Sequence, residues 1–304
     1  MNHQQLRGTG VALVTPFNHG KIDFPALAHI IEHNIAGGVD YLVSLGTTGE
    51  SATLSIAESR QVVDFTIKIV AERVSIIVGI FGGNDTRVIL ERIQNYNFDG
   101  ISAIMSSSPN YTKPSQEGIF QHYMAIAEAS PLPIVIYNVP GRTASNIEPE
   151  TLIRLAKASD KFIAVKEASG DMAQVQQLLK HRPNNFSVIS GDDLTALATV
   201  ACGGDGVISV IGNAFPSAFS TMIRRALMGD YATAQRLNLL LFDMHQWLYF
   251  ENNPAGIKAT LEILGLCKNE LRLPLVAVSK MNYDNLKKEI EIIGSKNTSS
   301  LPVS

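Results

Sequence analysis

The sequence predicts an α/β fold, a (β/α)8 TIM barrel with a C-terminal helical appendage. Eight short apolar runs rich in Val and Ile recur along the first three quarters of the chain. They are continuously apolar instead of alternating, which is how strands buried on both faces of a parallel sheet read. The stretches between them carry the 3.6-residue period of amphipathic helices. Eight strands, each followed by a helix, is the count of a closed barrel.

In order, the runs are "GVALVTPF" from Gly10, "YLVSLG" from Tyr41, "SIIVGIF" from Ser75 and "GISAIMS" from Gly100. "PIVIYNV" from Pro133, "FIAVKEA" from Phe162, "FSVISGD" from Phe186 and "GVISVI" from Gly206 complete the set. Between the first two, "FPALAHIIEHNIAGG" places Leu27, Ile30, Ile31 and Ile35 on one stripe and ends on glycine, as a helix stop should. "QEGIFQHYMAIAEAS" and "DMAQVQQLLKHRP" behave alike. A doubly wound sheet would need a Gly-rich turn after its first strand; "GTGVAL" at Gly8 lacks the third glycine and precedes a strand. Beyond Gly229 the pattern is helical alone: "YATAQRLNLLLFDMHQWLYF", a segment opened by Pro254, and one opened by "RLPLVAVSK". The expected division is a catalytic barrel over residues 1–229, an appendage over 230–294 and a loose tail over 295–304.

A chain of 304 residues, 45% hydrophobic and 17% charged, can bury a large core. The net charge of -3 comes without a run of like charges, so neither nucleic acid nor an anionic membrane is the expected partner. A small molecule is. Cys202 and Cys267 form no CxxC pair and are expected to be reduced core residues. The polar N-terminus and the lack of a long apolar stretch make the cytoplasm the expected location.

Barrel active sites are built at the C-terminal ends of the strands. Those ends read "TPF" at Thr15, "GTTGES" at Gly46, "GGND" at Gly82, "SSPNYTKP" at Ser107, "YNVPGR" at Tyr137, "KEASG" at Lys166, "GDD" at Gly191 and "IGN" at Ile211. Lys166 stands out, because a lysine closing an apolar strand either snorkels to water, pairs with a carboxylate, or gives its proton up. With both faces of the strand apolar, parity does not decide whether Lys166 or Glu167 points inward. A desolvated amine is a nucleophile that condenses with ketones. Tyr137, on the neighbouring strand, either caps the core with its ring or serves such an amine as proton donor. "GTTGES" offers two hydroxyls and tight-turn amides, a cradle suited to a carboxylate. "HIIEH", His29 to His33, has the spacing of inverted zinc proteases but sits on a covering helix without a third ligand. "GDD" at Gly191 and "GGDG" at Gly203 suggest a phosphate or metal site on the last strands as one reading and turn duty as the favoured one.

In order and spacing, "GTTGESATL", "YNVPGRT", "KEASGD" and "SGDD" resemble the dihydrodipicolinate synthase branch of the pyruvate-dependent lyases and synthases, the family that also holds N-acetylneuraminate lyase. The resemblance runs from about Gly8 to near Leu273. It implies a Schiff base between Lys166 and the ketone of pyruvate, tautomerisation to an enamine, and attack on L-aspartate 4-semialdehyde. The product would be 4-hydroxy-tetrahydrodipicolinate, in the step that opens lysine biosynthesis, with no metal or organic cofactor. By the same resemblance Tyr137, Thr47 and Tyr111 form the proton relay, Tyr111 arriving from a neighbouring subunit of a homotetramer built as a dimer of dimers. Thr48, Ile208 and Gly191 match substrate contacts, and Arg142 matches the arginine that binds the semialdehyde carboxylate; its planar fork suits that group.

The related sugar-acid aldolases share the lysine and tyrosine but usually read "GSTGE" where this chain has "GTTGE", so a pyruvate-releasing lyase is the second reading. A non-catalytic barrel that binds a keto acid is the third, since fold does not fix function. Family members inhibited by lysine hold it with two histidines, a glutamate and a tyrosine, among others. This chain has Ile56, Ser59, Val88 and Asn110 there, keeping Ser51, Ala52 and Asn84. Weak or absent inhibition by lysine is the expectation.

Overall fold

The computed structural model describes residues 1–297, in which eight parallel strands close into a barrel. The strands are β1 (Gly8–Ala12), β2 (Tyr41–Ser44), β3 (Ser75–Val78), β4 (Ala103–Ser107), β5 (Ile134–Asn138), β6 (Phe162–Glu167), β7 (Ser187–Ser190) and β8 (Gly206–Ser209). Each pairs with its sequence neighbours, and β8 returns to β1 with Gly10 opposite Ile208. Helices α1 (Phe24–Ala36), α2 (Ile56–Val70), α3 (Thr86–Gln94), α4 (Gln116–Ala129), α5 (Pro149–Ala158), α6 (Met172–His181), α7 (Ala196–Ala201) and α8 (Pro216–Leu227) follow the strands in turn.

Side-chain alternation divides the core into two shells. Ala12, Val43, Ile77, Met105, Val135, Ala164, Ile189 and Ile208 fill the barrel interior. Val11, Leu42, Val78, Ile104, Ile136, Val165 and Val188 face the helices. Tyr41 fits inside because its neighbour is Gly10, where a Cβ would stand 2.1 Å from the ring. Helix starts follow local chemistry: the Asp23 carboxylate accepts from Ala26 N–H at 3.0 Å, and Ser55 with Glu58 makes a capping box on α2.

The C-terminal helices are α9 (Tyr231–Phe250), α10 (Ala255–Ile263) and α11 (Lys280–Asn297). The last opens eight residues later than "RLPLVAVSK" suggested. Pro274 disfavours helix at Leu273, and Arg272 is held instead as a fork on Glu58, with Nη1 and Nη2 at 3.0 and 2.6 Å from its two oxygens. Helix α11 runs through Asn297, into the stretch expected as a tail; residues 298–304 lie outside the described residues. β4 begins at Ala103 and not Gly100, because Gly100 has φ +76 and Ile101 N–H closes a turn on Phe98 O. Cys202 is exposed at the end of α7, a correction to its expected place in the core; Cys267 is half-buried, and burial pushes its thiol up to about 12. Among the described residues no helix is long and apolar enough to cross a membrane.

Candidate active site

Alternation along β6 resolves the parity that the sequence left open. Ala164 faces the interior and Val165 the helices, so Lys166 points in and Glu167 out. Glu167 is fully occupied there: one oxygen accepts from Asn138 Nδ2 and Gln174 Nε2, both at 2.9 Å, and the other from Ser169 N–H at 2.7 Å. Lys166 is 5% exposed, and among the described residues no carboxylate forms an ion pair with it. The two ordinary resting places of a lysine, solvent and a carboxylate, are therefore both absent. Its Nζ lies 4.4 Å from the ring centroid of Tyr137, the residue paired with it across β5 and β6.

Tyr137 and Thr47 line a cavity of about 1040 Å³ at the C-terminal ends of the strands, together with Arg142, Met105, Ser107 and Asn253. Thr47 and Thr48 stand in a single 3-10 turn, Thr47–Gly49, directly after β2. Its carbonyl at Gly49 accepts from Thr15 Oγ1 at 2.7 Å. Gly79 lets the turn come close, since a Cβ there would sit 2.9 Å from Leu45 O. Thr48 is turned away from Thr47 in its bonding: its hydroxyl accepts from Asn253 Nδ2 at 3.0 Å.

Arg142 belongs to a one-turn helix, Pro140–Thr143, that follows β5, and its Nη2 donates to Asn252 Oδ1 and Asn253 O, both at 3.2 Å. Ile208 is in the barrel interior at 1% exposure. Gly191 lies against the lysine itself: a Cβ there would be 3.0 Å from Lys166 Cγ and 3.1 Å from Cε. Tyr111 is the one expected site residue that the single chain leaves far out. It is 88% exposed with φ +64, its backbone pinned by a bond from its N–H to Thr143 O at 3.2 Å.

Three features of the site were not found from sequence. Asn253 reaches Thr48 from the α9–α10 junction, a contact across some two hundred residues of chain that no local pattern signals. Asp193, buried, accepts from Val210 and Ile211 N–H at 3.0 and 2.9 Å and so fixes the turn after β8. Burial, and then this carboxylate, raise its neighbour Asp192 above the usual carboxylate range. The third is an ion pair between Glu50 and Lys258, both fully enclosed. Its only trace in sequence is a lysine inside the apolar stretch "AGIKATLEI". The "HIIEH" segment is spent on structure: Glu32 takes the Arg73 fork at 2.6 and 2.8 Å, and His33 Nε2 lies 3.1 Å from Ala214 O. Among the described residues no group of three or more His, Cys, Asp or Glu is placed to hold a metal ion.

The chain has close counterparts among known proteins. A 4-hydroxy-tetrahydrodipicolinate synthase of Parabacteroides distasonis is 45% identical over 292 residues, 96% of this chain and 98% of that one. One of Cytophaga hutchinsonii is 46% identical over 273 residues, 90% and 91% of the two chains. Among solved structures, the dihydrodipicolinate synthase of Thermotoga maritima superposes with a TM-score of 0.92 at 35% identity, covering 95% of this chain and 98% of that one. That of Cyanidioschyzon merolae, solved with lysine bound, gives 0.91 at 32% identity, over 95% and 99%. A monomeric dihydrodipicolinate synthase variant gives 0.93 at 35%, over 96% and 98%. The model of the dihydrodipicolinate synthetase family matches residues 5–293, nearly the whole of the chain whose site has just been described, and the chain belongs to that family.

Proposed function

We propose that the protein condenses pyruvate with L-aspartate 4-semialdehyde to give 4-hydroxy-tetrahydrodipicolinate, through an imine on Lys166. The observation that carries the reading is the buried Lys166 amine, without a carboxylate partner, 4.4 Å from the Tyr137 ring at the mouth of the barrel. Relatives of that name at 45% identity over almost the full chain support the choice of reaction.

In this scheme the amine attacks the pyruvate ketone, the carbinolamine oxygen leaves as water, and the imine loses a methyl proton to become an enamine. Tyr137 is read as the hydroxyl that exchanges protons with the departing oxygen, which its sharing one cavity with Thr47 supports. The enamine carbon attacks the semialdehyde aldehyde, and attack of the product's own amine on the imine carbon closes the ring and releases Lys166. Lys166 supplies the electron sink, so the scheme calls for no metal or organic cofactor. Arg142, exposed at the rim, presents a guanidinium suited to the second substrate's carboxylate. Thr48, Ile208 and Gly191 are proposed as pyruvate-side contacts, Gly191 acting through the lysine stem that it touches.

Tyr111 is read as a relay member for a second copy of the chain; its 88% exposure supports a residue that finds its place only in an assembly. A homotetramer made of two such dimers, working in the cytoplasm, is the proposed form. Borohydride reduction with pyruvate tests the core of the reading: a stable adduct on Lys166 is expected, followed by turnover with the semialdehyde. Turnover of sugar-acid substrates with none on the semialdehyde transfers the chain to the lyase branch.

A further inference from the structure

A single 3-10 turn such as Thr47–Gly49 has poor hydrogen-bond geometry and holds itself weakly. Its closing bond runs from Glu50 N–H to Thr47 O at 3.1 Å. Glu50 adopts φ 52 and ψ 33, the left-handed region that side-chain-bearing residues rarely enter, and its carbonyl then accepts from both Thr53 N–H and Thr53 Oγ1, at 2.9 and 3.0 Å. Backbone in such a conformation persists where its surroundings impose it.

Here the side chain does so. The Glu50 carboxylate is fully buried, in ion-pair contact with Lys258 through one oxygen and accepting from Arg272 N–H at 3.2 Å through the other. Lys258 is held from two further sides, donating to Glu270 O at 2.8 Å and lying 4.1 Å from the Phe17 ring centroid. It also stands on a rigid base: α10 is buried from Ala255 through Leu261, and a Cβ on Gly256 would come within 2.2 Å of Leu248 O in α9. At the head of the same helix Asn253 bonds Thr48.

We infer that Glu50 and Lys258 are positioning residues, a buried clamp that fixes the Thr47–Gly49 turn to the C-terminal helices and thereby sets where the Thr47 hydroxyl stands in the cavity it shares with Tyr137. This rests on the imine chemistry proposed for Lys166, and gives the C-terminal helices a part in it without contact to substrate. A buried ion pair is weak evidence of stabilisation, and in some proteins it is retained for the specific geometry that it fixes.

The test measures how fast pyruvate adduct accumulates, by quenching with borohydride at short times and weighing the protein. Glu50→Gln keeps the volume and an acceptor for Arg272 N–H while removing the charge. The neutral pair Glu50→Gln with Lys258→Met leaves no charge buried alone, and is the variant to read should a single one not fold. Both are expected to reach the same final amount of adduct, about 10- to 100-fold more slowly. With Thr47→Val already present, Glu50→Gln should slow the reaction by less than about twofold, because its effect passes through Thr47. Variants as fast as the parent, or a full further loss in the Thr47→Val background, overturn the clamp while leaving the imine reading intact. No adduct in the unaltered chain overturns that reading and the clamp with it.

Discussion

Gly191 touches the stem of Lys166 so closely that a methyl group in its place would stand 3.0 Å from Lys166 Cγ and 2.7 Å from the Ala168 side chain. The β7 exit turn therefore forms a wall beside the lysine stem, whose amine lies 4.4 Å from the Tyr137 ring centroid. Gly191→Ala is expected to push the amine off its line, slowing adduct formation about 10- to 100-fold, at an overpacking cost of about 1–3 kcal/mol in stability. Unchanged kinetics with lowered stability would reduce Gly191 to a packing residue.

Lys166 and Tyr137 separate cleanly by substitution. Lys166→Ala removes the nucleophile, and no adduct is expected by mass. Tyr137→Phe keeps the ring beside the amine and removes only the hydroxyl. The expected result is full adduct at equilibrium with kcat lowered by roughly 10²–10⁴, the range for general acid–base groups. A fully active Tyr137→Phe enzyme would hand the proton transfer to another group.

Tyr111 lends itself to complementation. If it serves a second subunit, Lys166→Ala and Tyr111→Phe chains, each nearly inactive alone, restore about a quarter of full activity when unfolded and reassembled together, since random pairing gives half the dimers one intact site. No recovery on mixing, with dimers verified, would place Tyr111 outside the relay.

Lysine as an inhibitor would have little to grip. Ile56 is 83% exposed and Val88 45%, both apolar, while Ser59 is buried. Asn110 spends its backbone N–H on Asn84 Oδ1 at 2.8 Å. An ammonium ligand facing these side chains lacks the carboxylate and aromatic partners that give such sites affinity. Half-inhibition is expected only at lysine concentrations above the millimolar range, in steady-state assays at saturating pyruvate; sub-millimolar inhibition would mean that other groups recognise it.

The barrel was legible because its signal is local. Each strand shows as an apolar run and each helix as a 3.6-residue period, and the eight-fold repetition selects closure. Lys166 was legible as an anomaly at a strand exit but not in its direction, because Ala164 and Val165, on opposite faces of β6, are both apolar. The folded strand resolves the direction by alternation, which sends Glu167 outward to bonds with Asn138 and Gln174 from two other elements. Glu50 was visible within "GTTGES" only as a turn residue; its partner Lys258 lies far along the chain on a helix whose burial depends on the packing of α9 and α10. Local pattern reports which faces are apolar, and long-range polar pairs leave no period to read.

His122, on α4, links burial to pH. It is 5% exposed and edge-on to Tyr123 with centroids 5.4 Å apart, and one ring nitrogen lies 2.8 Å from Thr86 Oγ1. Burial pushes its imidazole down to about 4, against an ordinary value of 6.5. Between those values the unfolded chain binds a proton that the folded one refuses, so folding stability rises with pH there. The contribution is complete above about 6.5 and is lost progressively as pH falls from there to about 4, on the order of 3 kcal/mol. Glu58 gives a separate slope, since the Arg272 fork holds its carboxyl down to about 2 and its share is lost only as pH drops from 4.5 toward that value. Burial lowers the His245 imidazole as well, so it is the difference between the urea midpoints of the parent and of His122→Gln, followed between pH 7.5 and 4.5, that isolates His122. The parent should lose more stability across that range than the variant, whose amide takes no proton; parallel curves would show that the pH dependence originates elsewhere in the fold.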